Sequence, residues 1–109
     1  MLSDTMKEEL IQGLLDIFHN DISMIILYGS VARNEATADS DIDIAIIVKK
    51  NMDELTKEKF INWSADMDIR YDCVFSIIDI QEDQMKKWGD IHPFYRNVQK
   101  EGIVLWKAD

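Results

Sequence analysis

The sequence predicts one α/β domain over residues 1–109, and three observations predict it. Apolar runs of strand length alternate along the chain with segments of helical periodicity. A hydrophobic fraction of 47% is enough for a core, because a chain of this size typically buries roughly two-thirds of the surface it exposes when unfolded. No internal repeat, low-complexity stretch or linker interrupts the alternation.

Leu10, Ile11, Leu14, Leu15, Ile17 and Phe18 recur at helical spacing behind an N-cap at Ser3 or Thr5, so residues 4–19 read as an amphipathic helix. His19-Asn20-Asp21 breaks that pattern. Residues 23–28 form a short apolar run that ends at Gly29, the profile of a buried strand. The chain turns at Gly29-Ser30, residues 31–35 supply one or two helical turns, and the small polar residues 36–40 make a loop. Residues 42–48 are β-branched and almost continuously apolar, which predicts a strand covered on both faces. Met52, Leu55, Phe60, Ile61 and Trp63 among charges predict a second long helix capped near Asn51 or Asp53. Residues 69–78 read as a third strand and 79–88 as a third helix. Residues 89–93 form a break holding the one proline. A last helix over 94–100, ended by Gly102 at a C′ position, precedes a fourth, edge strand over 103–106.

Composition narrows the setting. A single cysteine, Cys73, rules out an internal disulfide framework and a Cys-rich zinc site, and points to a reducing compartment. The N-terminus lacks a basic stretch followed by an apolar one, and no segment approaches the ~20 apolar residues needed to span a bilayer. The expectation is a cytoplasmic protein with no membrane partner. A net charge of −9 repels phosphate backbones, and the densest basic groups, Lys49-Lys50 and Lys86-Lys87, are only pairs. Nucleic acid is therefore not the expected partner.

Asp41 and Asp43 stand two apart at the start of the second strand, so both carboxylates project from one face with Cα atoms about 6.6 Å apart. Such a pair can converge on one divalent ion, or on two ions about 3.5–4 Å apart. Hard oxygen ligands favour Mg²⁺ or Mn²⁺. Gly29-Ser30, between a buried strand and a short helix, allows close approach of backbone to a phosphate, and Ser30 can cap the helix or bond a phosphate oxygen. Arg33 is placed either to contact a phosphate or to pair with an aspartate. His19 and His92 read as capping or loop residues. Cys73, with no basic neighbour in sequence, reads as a small core residue.

The string Gly29-Ser30-Val31-Ala32-Arg33 followed by Ser40-Asp41-Ile42-Asp43 resembles the signature of the DNA polymerase β-like nucleotidyltransferase superfamily. Within it the chain is similar to the minimal nucleotidyltransferases, antitoxins paired with HEPN-domain toxins. The ending Pro93-Phe94-Tyr95-Arg96-Asn97-Val98 and Glu101-Gly102-Ile103-Val104-Leu105-Trp106 extends the likeness over nearly the whole chain. Asn34 departs from the glycine often found after Ala-Arg, and Asn tolerates the left-handed conformation such a turn uses.

The resemblance implies a polymerase β-like fold, with a mixed sheet of three to four strands flanked by helices. It also implies Mg²⁺-dependent transfer of AMP from ATP to a hydroxyl. Asp41 and Asp43 would hold two Mg²⁺ ions, with Mn²⁺ as substitute, and Gly29, Ser30, Arg33 and Ser40 would bind the nucleotide. A third carboxylate is expected on a neighbouring strand. Asp72 fits best, as a charge in an otherwise apolar strand, with Asp68 and Asp79 behind it and a salt bridge to Arg70 or Arg33 as its other reading. The implied partner is a HEPN-domain toxin, bound in a hetero-oligomer and modified on a tyrosine. Charge and the late aromatics Trp88, Phe94, Tyr95 and Trp106 suit such a surface, although aromatics also close cores. The competing readings are a catalytically idle antitoxin and transfer to a small molecule.

Overall fold

In the computed structural model, which describes residues 2–33 and 41–109 with Ser30 by its backbone alone, the chain opens on helix α1 (Asp4–Phe18). The Ser3 hydroxyl starts it by accepting the Met6 N–H at 3.2 Å. His19 closes it at a positive φ of 53°, in a capping role as its position suggests. Strand β1 (Ile22–Tyr28) leads into α2 (Gly29–Ala32), a single turn. The expected loop over 36–40 lies outside the described residues. Strand β2 (Ile42–Val48) then precedes α3 (Glu54–Tyr71), whose Asp53 cap accepts the Thr56 N–H at 2.7 Å. Strand β3 (Phe75–Gln81), helices α4 (Glu82–Trp88) and α5 (Pro93–Glu101), and strand β4 (Ile103–Lys107) complete the chain.

The strands form one mixed sheet in the order β3-β2-β1-β4. β1 pairs antiparallel with both β2 and β4, whereas β2 and β3 run parallel and are joined through α3. The alternation of β2 divides the core. Ile42, Ile44, Ile46 and Val48 pack with Leu10, Leu14 and Phe18 of α1 and Met67 of α3. Ala45 and Ile47 point the other way and pack with Ile26, Ile80, Met85 of α4 and Val98 of α5. Helices on both faces are why this strand reads as continuously apolar.

Three expectations shift, one of them the third helix, which begins at Glu82 rather than 79 because β3 runs on to Gln81. The third strand begins at Phe75 rather than 69, because α3 continues to Tyr71 and Asp72 ends it in the left-handed conformation, φ 50° and ψ 47°. The physical reason is the ladder: all seven residues of β2 pair, from Ile42 with Phe75 to Val48 with Gln81, and this fixes where β3 starts. Ile69 and Val74, which made the segment look like a strand, are 80% and 51% exposed. Gly102 is the cap of α5 itself, with an extended backbone. It is glycine because a Cβ there would overlap the Val98 carbonyl and Ile26.

Candidate nucleotide and metal site

Residues paired across a ladder share a face of the sheet. Pairing sets Tyr28 of β1 opposite Asp43 and Ser76 of β3 beside it, so Ser76, Asp43 and Tyr28 form a row across three strands. Neighbouring strands lie about 4.8 Å apart. Ala45, Ile47, Ile78 and Ile80, further along the same alternations, belong to the cluster under α4 and α5, which identifies the face. Asp41 sits just before β2, and its carboxylate accepts the Ser76 hydroxyl at 3.3 Å. Asp41 and Asp43 therefore share one face and one end of the sheet, with Asp41 exposed and Asp43 half-buried.

Gly29 closes on this pair from the end of β1. Its φ is +75°, a conformation that side chains rarely adopt, and a Cβ there would overlap the Asp43 carboxylate and lie 3.2 Å from Asp43 Cβ. The backbone at residue 29 thus packs directly on the side chain of Asp43, an approach open only to glycine. Burial pushes the Asp43 carboxyl above its ordinary range, and the neighbouring Asp41 charge adds to the rise, while Arg33 opposes it. The Tyr28 hydroxyl is raised by burial and then by Asp43. Arg33 also pairs with Glu101 at the end of α5, at 3.2 Å.

These features fit a divalent cation. Two hard oxygen donors share one face and one end of the sheet, and burial, with the Asp41 charge adding to it, holds Asp43 above its ordinary pKa, a cost that a bound cation relieves. A cavity of about 580 Å³ lies on the same sheet face, lined by Met24, Ile26, Ile47, Met85, Val98 and Val104 among others, but none of its lining residues belongs to the Gly-Ser or Asp-x-Asp motif. The carboxylates, not the hollow, mark the chemistry.

Asp72, expected on a strand, does not stand on one. Asp72 caps α3 outside any strand, and its N–H donates to the Asp68 carbonyl. Asp68 accepts the Phe75 N–H at 2.9 Å. Asp79 is exposed and lies an odd number of residues from Ser76, on the opposite face. Of the salt-bridge partners expected for Asp72, Arg70 pairs with Glu9 and Arg33 with Glu101. Among the described residues, no three His, Cys, Asp or Glu side chains gather into a group able to hold a metal. Ser40 lies outside the described residues. Sequence does not single out Ser76, which the ladder sets beside Asp43; its one signal is the series Ser76, Ile78, Ile80, in which one polar position heads an every-second-residue apolar run. Elsewhere His92 Nδ1 accepts the Phe94 N–H at 3.2 Å and so caps α5; Cys73 is partly buried against the core, and burial raises its thiol, with Asp68 and Asp72 adding to the rise.

The family described as Polymerase beta, Nucleotidyltransferase matches residues 11–109. "Putative protein adenylyltransferase MJ0604" of Methanocaldococcus jannaschii is 32% identical over 102 residues, which cover 91% of this chain and 93% of that protein. "Putative protein adenylyltransferase MJ0141" of the same organism is 30% identical over 71 residues, covering 65% and 72% respectively. Among solved structures, a toxin-antitoxin with AMP-PNP superposes with a TM-score of 0.68 at 19% identity, over 94% of this chain and 74% of that one. A tri-AMPylated Shewanella oneidensis HEPN toxin in complex with MNT antitoxin gives 0.57 at 18% identity, over 94% and 70%. At such identities these two structures establish a shared fold.

Proposed function

The chain belongs to the Polymerase beta nucleotidyltransferase family, and on that premise we propose that it transfers AMP from ATP to a tyrosine hydroxyl of a HEPN-domain toxin, as the antitoxin of the pair. One observation carries the reading: the Asp41–Asp43 pair at a sheet end, with the positive-φ turn at Gly29 packed on Asp43. A phosphate held by the backbone of Gly29 and Ser30 would then lie beside the carboxylates that hold its counter-ion.

Asp41 and Asp43 would hold Mg²⁺, or Mn²⁺ in its place, and a divalent ion bound there supplies charge neutralisation to the triphosphate. Arg33 favours the ionised form of Asp43, which is the form that ligates. In the transfer, the acceptor oxygen bonds to the α-phosphorus and the bond from that phosphorus to the bridging oxygen of the β-phosphate breaks. Pyrophosphate leaves, and the hydroxyl proton passes to solvent. Asp72 receives no part in this scheme, because it caps α3.

A protein acceptor is supported by the names of the Methanocaldococcus relatives and by the AMP-bearing toxin in the Shewanella complex. The surface agrees: Trp88, Ile91 and Phe94 are 38%, 68% and 36% exposed along the α4–α5 segment, and Phe94 packs edge-to-face on Tyr28 at 5.8 Å, adjoining the site. Exposed aromatics commonly anchor interfaces. Among the described residues, no helix is long and apolar enough to cross a membrane. The proposed setting is the cytoplasm, where ATP and Mg²⁺ are at hand.

Co-expression with the neighbouring gene product, followed by size-exclusion chromatography and intact-mass measurement, tests the reading. A complex whose partner gains one or more AMP masses supports it. Among the described residues no third carboxylate joins the pair, which favours one second reading, an antitoxin that acts by occupancy alone. It predicts a complex with no gain in mass, whereas AMP transfer to a small molecule and no complex would sink both.

A further inference from the structure

We propose that Ser76 is the third member of the metal-nucleotide set, standing where a third carboxylate would reach the Asp41–Asp43 pair and positioning Asp41 through its hydroxyl. This rests on the assignment of that pair as the metal site. On β3, the side chains that share a face with Asp43 are those of Ser76, Ile78 and Ile80, and the two isoleucines lie over the apolar cluster under α4 and α5. Ser76 alone of the three is level with Asp43 in the ladder, and its hydroxyl donates to Asp41 Oδ2 at 3.3 Å. The acidic residues flanking that stretch of chain are occupied or turned away. Asp68 caps into the Phe75 N–H, Asp72 ends α3 in a left-handed conformation, and Asp79 projects from the other face.

Among the described residues the set that results is two carboxylates and one neutral hydroxyl. Its charge is one unit less negative than that of a three-carboxylate site, so it binds a divalent ion less tightly. Because the hydroxyl fixes Asp41, it orients a ligand rather than merely filling space. Groups that orient metal ligands typically change metal affinity by about 10–100-fold when removed. An aspartate at position 76 would add a hard oxygen ligand from the strand beside Asp43.

Mn²⁺ affinity in the presence of AMP-PNP, measured by electron paramagnetic resonance on the folded chain, reads this without requiring transfer. Ser76→Ala is expected to weaken binding by about tenfold or more, and Ser76→Asp to tighten it by a similar factor. Asp72→Asn should leave it unchanged, since Asn also tolerates the left-handed cap. The proposal is overturned if Ser76→Ala binds Mn²⁺ as the unmodified chain does, or if Asp72→Asn weakens binding as much as Asp43→Asn. The Ala variant keeps the test open should the Asp variant fail to fold. If Asp43→Asn itself binds Mn²⁺ undiminished, the assignment of the aspartate pair fails, a separate result from failure at Ser76.

Discussion

Replacing Gly29 by alanine strikes the turn and the carboxylate at once, and its two costs are separable. The first is backbone strain, since a φ of +75° costs an L-residue about 1–2 kcal/mol. The second is steric, because the new Cβ would lie 3.0 Å from Asp43 Cγ and closer still to its carboxylate, so the Asp43 side chain must leave its rotamer. An off-rotamer side chain costs of order 0.5–1.5 kcal/mol. Together they amount to about 2–3 kcal/mol. For a domain near 100 residues, each kcal/mol lowers Tm by at least ~4 °C, so thermal unfolding should fall by roughly 10 °C. Affinity for Mn²⁺ with AMP-PNP should fall with it, by about tenfold or more, because the displaced group is a ligand. The contact with Asp43 makes stability and binding fall together. A double-mutant cycle isolates the contact. In an Asp43→Ala background the carboxylate overlap is gone, leaving the strain and the 3.2 Å approach to Cβ, so Gly29→Ala should cost about 1 kcal/mol less there. Equal costs in the two backgrounds would refute the contact, and a cost below about 0.5 kcal/mol with unchanged nucleotide affinity would refute the turn.

Asp43→Asn should abolish AMP transfer while raising Tm of the metal-free protein at neutral pH. Asp43 has its folded-state pKa raised, so the stability it favours is complete below the ordinary aspartate value and is lost as pH rises through the elevated one. The variant should accordingly melt above the unmodified protein at pH 8 and level with it near pH 4, in parallel calorimetric scans. Asp53 has its pKa lowered, chiefly by the backbone N–H of Thr56, so its contribution is present above the ordinary value and fades as pH falls through the depressed one. Asp53→Ala should thus lower Tm at pH 7 and lose its effect in acid. Leu14→Ala, which empties a fully buried position between α1 and the sheet, should cost about 2–5 kcal/mol in urea titration with Mn²⁺ affinity unaltered in the folded fraction.

Much of this protein is local, and what is local was legible. Ser3 and Asp53 cap because a side-chain oxygen reaches an N–H three residues on. The seven residues of β2 announce a doubly covered strand because every one but Asp43 is apolar. The Asp41–Asp43 pair needed only the two-residue alternation of a strand to place it on one face. Gly29 stood out as the glycine where strand turns into helix, and its φ of +75° gives the reason. The position of β3 was not local. Residues 69–78 carry enough apolar side chains for a strand, yet the pairing of Phe75 with Ile42 decides where the strand begins, and that partner lies more than thirty residues away. A shift of that frame moves each side chain by register and face. Asp72 consequently left the sheet for a helix cap, and Ser76 came to stand beside Asp43. Sequence by itself determined the caps and apolar stripes of the helices, the aspartate pair and the glycine turn, each set by neighbours within a few residues. Which third residue joins the pair was decided only when β3 docked, because a parallel ladder aligns residues that no short-range pattern connects.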